Sequence, residues 1–113
     1  MFNFYNLCSG STGNSSLIQT ENSKILIDAG GSAKKITEAL SSINVDISSL
    51  DAILVTHEHI DHVQSLGTIS KKYNIPVFAN KETWEAMPDQ KAKILDSNQK
   101  LFDINSEFEI KDI

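Results

Sequence analysis

Three short apolar runs, ILID at residues 25–28, AILV at 52–55 and PVFA at 76–79, limit the folds open to this chain more than any other feature. Runs this continuous, rich in branched side chains, are the pattern of strands buried on both faces. The segments between them carry helical spacing instead. Ser32 is placed to cap a helix of about three turns on which Ile36, Ala39, Leu40 and Ile43 share a face. Residues 44–49 lead back to the next strand, and residues 63–73 predict a second helix. Strand, helix and strand in this order predict βαβ units with parallel pairing. Ahead of them, residues 2–7 and 15–20 alternate like two paired strands around a Gly/Ser-rich turn, before the strand at 24–28. Residues 81–87 predict another helix capped by Asn80, residues 91–98 carry no decisive pattern, and residues 101–102 and 107–110 predict two short closing strands. The expected fold class is α/β, in the broader α+β sense of a mixed sheet with helices on one face.

Every histidine of the chain lies directly after the second run, in THEHIDH, residues 56–62. If residues 52–56 form a buried strand, His57 and His59 leave its end two positions apart. Side chains with that spacing in extended backbone point to the same side, so the two imidazoles can converge on one metal ion. Asp61 and His62 follow where the chain must turn. A helix starting there changes direction and aims this second pair at a neighbouring point, close enough for a second ion. Imidazole with carboxylate suits zinc, and equally manganese, iron or nickel. The H-E-x-x-H motif of metalloproteases needs histidine where Asp61 stands. A solvated polar turn is the bland alternative, and the spacing argues against it.

The run His57-Glu58-His59-Ile60-Asp61-His62 after a buried strand resembles the H-x-H-x-D-H signature of the metallo-β-lactamase superfamily. KILIDAG, residues 24–30, is similar to that superfamily's earlier strand ending in an acidic residue. CSGSTGNSS, residues 8–16, resembles the Gly/Ser-rich first turn of its YycJ/WalJ-like bacterial hydrolases, and DAILVTHEHIDH and IPVFANKETWEAM resemble the same branch. The likeness extends from about residue 4 to residue 112. It implies an αββα sandwich of which residues 1–113 are the N-terminal half, the C-terminal half being absent. It further implies two divalent metal ions in the intact protein, zinc before manganese, with His57, His59, Asp61 and His62 as ligands. Asp61 would act catalytically by holding the second ion and orienting the attacking water. Asp28 would support the metals from behind, fixing an imidazole or the metal loop by hydrogen bonds.

The activity implied is hydrolysis by metal-activated water, directed at DNA phosphodiesters as a 5′→3′ exonuclease on double strands. DNA would then be the partner of the intact protein. Thioester or lactone hydrolysis is the enzyme alternative within the superfamily, and a non-catalytic, self-associating half-domain is the alternative of a different class. The superfamily also supplies a third histidine, a bridging aspartate and a final histidine from later in the chain. No histidine follows His62, and Asp89, Asp96, Asp103 and Asp112 carry no motif that assigns the bridging role. The 113-residue chain is therefore expected to be inactive by itself. A single site closed by His57, His59 and His62 is the lesser reading, because the spacing aims His62 away from the first pair.

Other residues carry paired readings. In the Gly/Ser-rich turn, Ser9, Ser11 and Thr12 could offer hydroxyls, and the glycines backbone N–H groups, to an anionic substrate. Supplying the positive φ angles of a hairpin is the favoured role of the turn. Asn14 and Ser15 are expected to hydrogen-bond the base of the site. Cys8 fits a small buried residue at a strand end better than a zinc ligand, and Trp84 fits helix-to-sheet packing better than a base-stacking platform. A net charge of −5, with ten lysines and no arginine, argues against a basic nucleic-acid surface on this part of the protein. There is neither a signal-peptide pattern nor a stretch long enough to span a bilayer, so no membrane partner is expected, and a lone cysteine fits the cytoplasm. With helices over one face only, the other face of the sheet would expose apolar surface, which predicts a dimer or higher oligomer.

Overall fold

The computed structural model describes residues 3–8, 13–56 and 60–102, without the side chains of Cys8, Ile60 and Asp61. The strand expected at 107–110, His57, His59, Ser9, Ser11 and Thr12 lie outside the described residues, as does the thiol of Cys8.

Among the described residues, six strands form one mixed sheet in sequential order. These are β1 (Asn3–Cys8), β2 (Ser15–Gln19), β3 (Lys24–Ile27), β4 (Ala52–Leu54), β5 (Val77–Ala79) and β6 (Gln99–Leu101). The first three pair antiparallel, with a bulge between Asn6 and Cys8, and β3 to β6 pair parallel. Parallel neighbours need crossovers, which α1 (Ala33–Ser42), α2 (Ile60–Val63), α3 (Leu66–Tyr73), α4 (Lys81–Ala86) and α5 (Pro88–Lys91) provide. The α/β class and the mixed sheet agree with the periodicity.

Register explains how the sheet is covered. Leu17, Leu26, Ile53 and Val77 lie side by side across four strands, on one face. They share a buried core with Ile36 and Leu40 of α1 and Leu66 and Ile69 of α3. Each such side chain contributes roughly 1.5–3 kcal/mol by leaving water. On the opposite face Ile25 and Ala52 are buried yet stand outside this cluster, Ile18, Ile27 and Leu54 are half-buried, and Phe4 is 60% exposed. Helical packing is thus concentrated on one side, as the sequence leads one to expect.

Local chemistry accounts for most helix ends. Ser32 caps α1 by accepting from Lys35 N–H at 3.1 Å, and Asn80 caps α4 by accepting from Thr83 N–H at 2.8 Å. The last turn of α3 is closed by Asn74 in the left-handed conformation, φ 54°. Asp46 caps the 3-10 turn Ile47–Ser49 through the hydroxyl and N–H of Ser48, and these bonds hold its carboxyl below the ordinary range. Trp84, in the core, donates Nε1–H to the Lys100 carbonyl at 2.8 Å, tying α4 to β6. The packing reading of that residue is the one observed.

Two elements differ from expectation. The helix expected at 63–73 is two helices, parted at Gln64 and Ser65. Ser65 donates N–H and Oγ–H to the Ala29 carbonyl at 2.9 and 3.2 Å, while Ala29 donates N–H to the His62 carbonyl at 2.8 Å. Tertiary bonds to the residue after Asp28 thus replace part of the helical ladder, which no local pattern encodes. Residues 91–98 hold the end of α5 and a 3-10 turn, Asp96–Asn98, so the strand expected at 101–102 begins two residues earlier as β6. Among the described residues no helix is long and apolar enough to cross a membrane.

Candidate metal centre

Because β3 and β4 run parallel, both deliver the chain to the same edge of the sheet, the usual place for a site in parallel α/β architecture. Asp28 is the first residue beyond β3. Its N–H continues the ladder to the Leu54 carbonyl at 2.8 Å, and its backbone then turns left-handed, φ 63°, a conformation aspartate tolerates better than most residues. The Ser15 hydroxyl donates to the Asp28 carbonyl at 2.9 Å. Asp28 is therefore held from two neighbouring strands before its side chain makes any contact.

The carboxylate is only 5% exposed as part of its residue, and it collects three donors. Oδ1 accepts from Thr56 N–H at 2.7 Å; Oδ2 accepts from the Thr56 hydroxyl at 2.5 Å and from His62 Nδ1 at 2.8 Å. A buried charge is tolerated where its lone pairs are satisfied in this way. An ionised carboxylate only accepts, so Nδ1 is a protonated nitrogen, and in the neutral tautomer that this bond selects the lone pair lies on Nε2. That is the orientation in which a carboxylate-backed histidine ligates a divalent cation. The donor chemistry of His62 and Asp28 thus fits a metal.

A second tier of contacts supports this edge. Gly30 donates N–H to the Asn14 carbonyl at 3.0 Å. Gly13 lies against Gly30 and Gly31 so closely that a Cβ would stand 2.8 Å from Gly31 Cα. Glycine at 13 is thus required by close backbone approach.

Of the residues singled out from sequence, Asp28, His62, Asn14 and Ser15 come together here, Asn14 through its backbone carbonyl. His57, His59, Ser9 and Ser11 lie outside the described residues, as does the side chain of Asp61. Among the described residues no three His, Cys, Asp or Glu side chains gather at one point. Thr56 stood in the sequence only as the end of the strand before the first histidine, and its part in the site was not legible there.

The profile of the Metallo-beta-lactamase superfamily matches residues 9–112. The exodeoxyribonuclease WalJ of Streptococcus pneumoniae is 44% identical over 105 residues, which cover 91% of this chain and 39% of that protein. The exodeoxyribonuclease YycJ of Bacillus anthracis is 46% identical over 81 residues, 72% of this chain and 31% of that protein. The chain thus spans about two fifths or less of the length of these curated relatives. Among solved structures, the subclass B3 metallo-β-lactamase BJP-1 of Bradyrhizobium japonicum superposes with a TM-score of 0.67 over 75% of this chain and 33% of its own, at 22% identity, a likeness of fold. With the superfamily profile matched over nearly all of its length and relatives this similar beside it, the chain belongs to the metallo-β-lactamase superfamily.

Proposed function

We propose that residues 1–113 are the N-terminal half of a dinuclear metal-dependent hydrolase that cleaves DNA phosphodiesters as a cytoplasmic 5′→3′ exonuclease. The observation that carries the metal part is the Asp28 carboxylate on His62 Nδ1, which directs the lone pair of that ring away from Asp28. The choice of DNA rests on two relatives, 44% and 46% identical, named as exodeoxyribonucleases. In this reading His57 and His59 hold one ion and Asp61 and His62 the other. When bound, the ions, zinc before manganese, supply Lewis acidity and a water activated near neutral pH. Asp61 orients that water, and Asp28 keeps the His62 imidazole in the ligating tautomer. Asn14 and Ser15 brace the backbone of residues 28–30 from below. The remaining ligands belong to the second half of the domain.

The test is hydrolysis by the complete gene product. It should shorten double-stranded DNA from 5′ ends and lose that activity to a chelator. Turnover of thioesters or lactones with none on DNA would replace this reading. For the 113-residue chain alone we expect little or no hydrolysis, and self-association through the face of the sheet opposite α1 and α3.

A further inference from the structure

We propose that Thr56 is a positioning residue for His62, its hydroxyl setting the plane of the Asp28 carboxylate against which the His62 imidazole is held. The inference deepens the hydrolase reading above and rests on it for its functional meaning. Thr56 and His62 flank residues 57–61, and both bond to Asp28 Oδ2, through Oγ1 and Nδ1. Three of the four ligands assigned above lie between these two anchors, and His62 is itself the second anchor.

The hydroxyl does something the backbone cannot. The Thr56 N–H holds Oδ1, and without the hydroxyl Oδ2 would be held only by the His62 ring that it is meant to orient, so carboxylate and ring could turn together about the Cβ–Cγ bond, a torsion with a broad minimum. A second donor from the same residue, placed on the other oxygen, fixes that rotation. The backbone of Asp28 is already held, its N–H on the Leu54 carbonyl, its carbonyl on the Ser15 hydroxyl and its φ at 63°. Orientation of the carboxylate is thus left to its side-chain donors, and Thr56 supplies one on each oxygen. Strand propensity alone would explain a β-branched residue here and be served equally by valine. Thr56 is exposed, so its methyl is no part of the buried core, while its oxygen turns inward to a buried carboxylate.

The experiment compares the 113-residue chain with Thr56→Val, which keeps the branched shape, and Thr56→Ser, which keeps the hydroxyl. Imidazole nitrogen-15 spectra of the metal-free chains report the tautomer of His62 directly. We expect the parent and Thr56→Ser to show one Nδ1–H tautomer, and Thr56→Val to show a mixture or a broadened signal. Zinc affinity in the complete gene product should fall about 10-fold in Thr56→Val and recover in Thr56→Ser. Should Thr56→Val not fold, Thr56→Ala replaces it in both measurements. An unchanged His62 tautomer and zinc affinity in the variant lacking the hydroxyl would overturn the proposal. So would a Thr56→Ser variant that behaves like Thr56→Val, since the effect would then be one of packing. Absence of DNA cleavage by the unmodified gene product would refute the hydrolase reading while leaving the tautomer comparison intact.

Discussion

At the scale of single residues, Asp28 carries hydrogen bonds on its N–H, its carbonyl and both carboxylate oxygens. Asp28→Ala leaves the Thr56 and His62 donors facing a void and should cost about 2–3 kcal/mol of stability, read from urea unfolding midpoints. Loss of under about 0.5 kcal/mol would mean that water replaces the carboxylate without penalty. Gly13→Ala tests a different mechanism. A methyl group there meets backbone, at 2.8 Å from Gly31 Cα, and backbone cannot step aside as a flexible side chain can. We expect destabilisation of about 1–3 kcal/mol by overpacking, seen as a lower thermal midpoint. The acidic residue ending the KILID run was legible as a supporting carboxylate through its resemblance to the superfamily's earlier strand. The partner hydroxyl was not, since nothing in sequence says that residues 28 positions apart will meet.

At the scale of elements, capping chemistry was legible and tertiary interruption was not. Ser32 and Asn80 cap the helices assigned to them because a short oxygen-bearing side chain before an apolar-periodic stretch satisfies the first free N–H groups. Asn80→Ala should therefore cost about 1 kcal/mol, measured by chemical denaturation, with the sheet intact by circular dichroism. Elements α2 and α3 read as one helix in sequence, and their separation comes from Ala29, which exchanges backbone hydrogen bonds with His62 and Ser65. The same exchange places His62 at the end of a short helical segment beside β3.

At the scale of the whole molecule, the helices and the core they share with Leu17, Leu26, Ile53 and Val77 stabilise one side of the sheet. The opposite side carries Ile18, Ile27 and Leu54, half-buried, and an exposed Phe4. Apolar surface of this kind is removed from water by association. Sedimentation of the 113-residue chain over a wide concentration range should show a dimer or larger species, and Phe4→Lys should shift the equilibrium toward monomer. A compact monomer at every concentration would exclude self-association through this face. The sequence by itself determined the kinds of element, the caps and the clustering of all three histidines after a buried strand, because these depend on repeats two to four residues long. Only the tertiary structure decided that Asp28 would grip Thr56 and His62, 28 and 34 positions away, that Gly13 would press on Gly31, and that a helix would part at Ser65. Those contacts arise from parallel pairing of β3 with β4, which brings distant chain segments to one edge and leaves no periodic trace in the sequence.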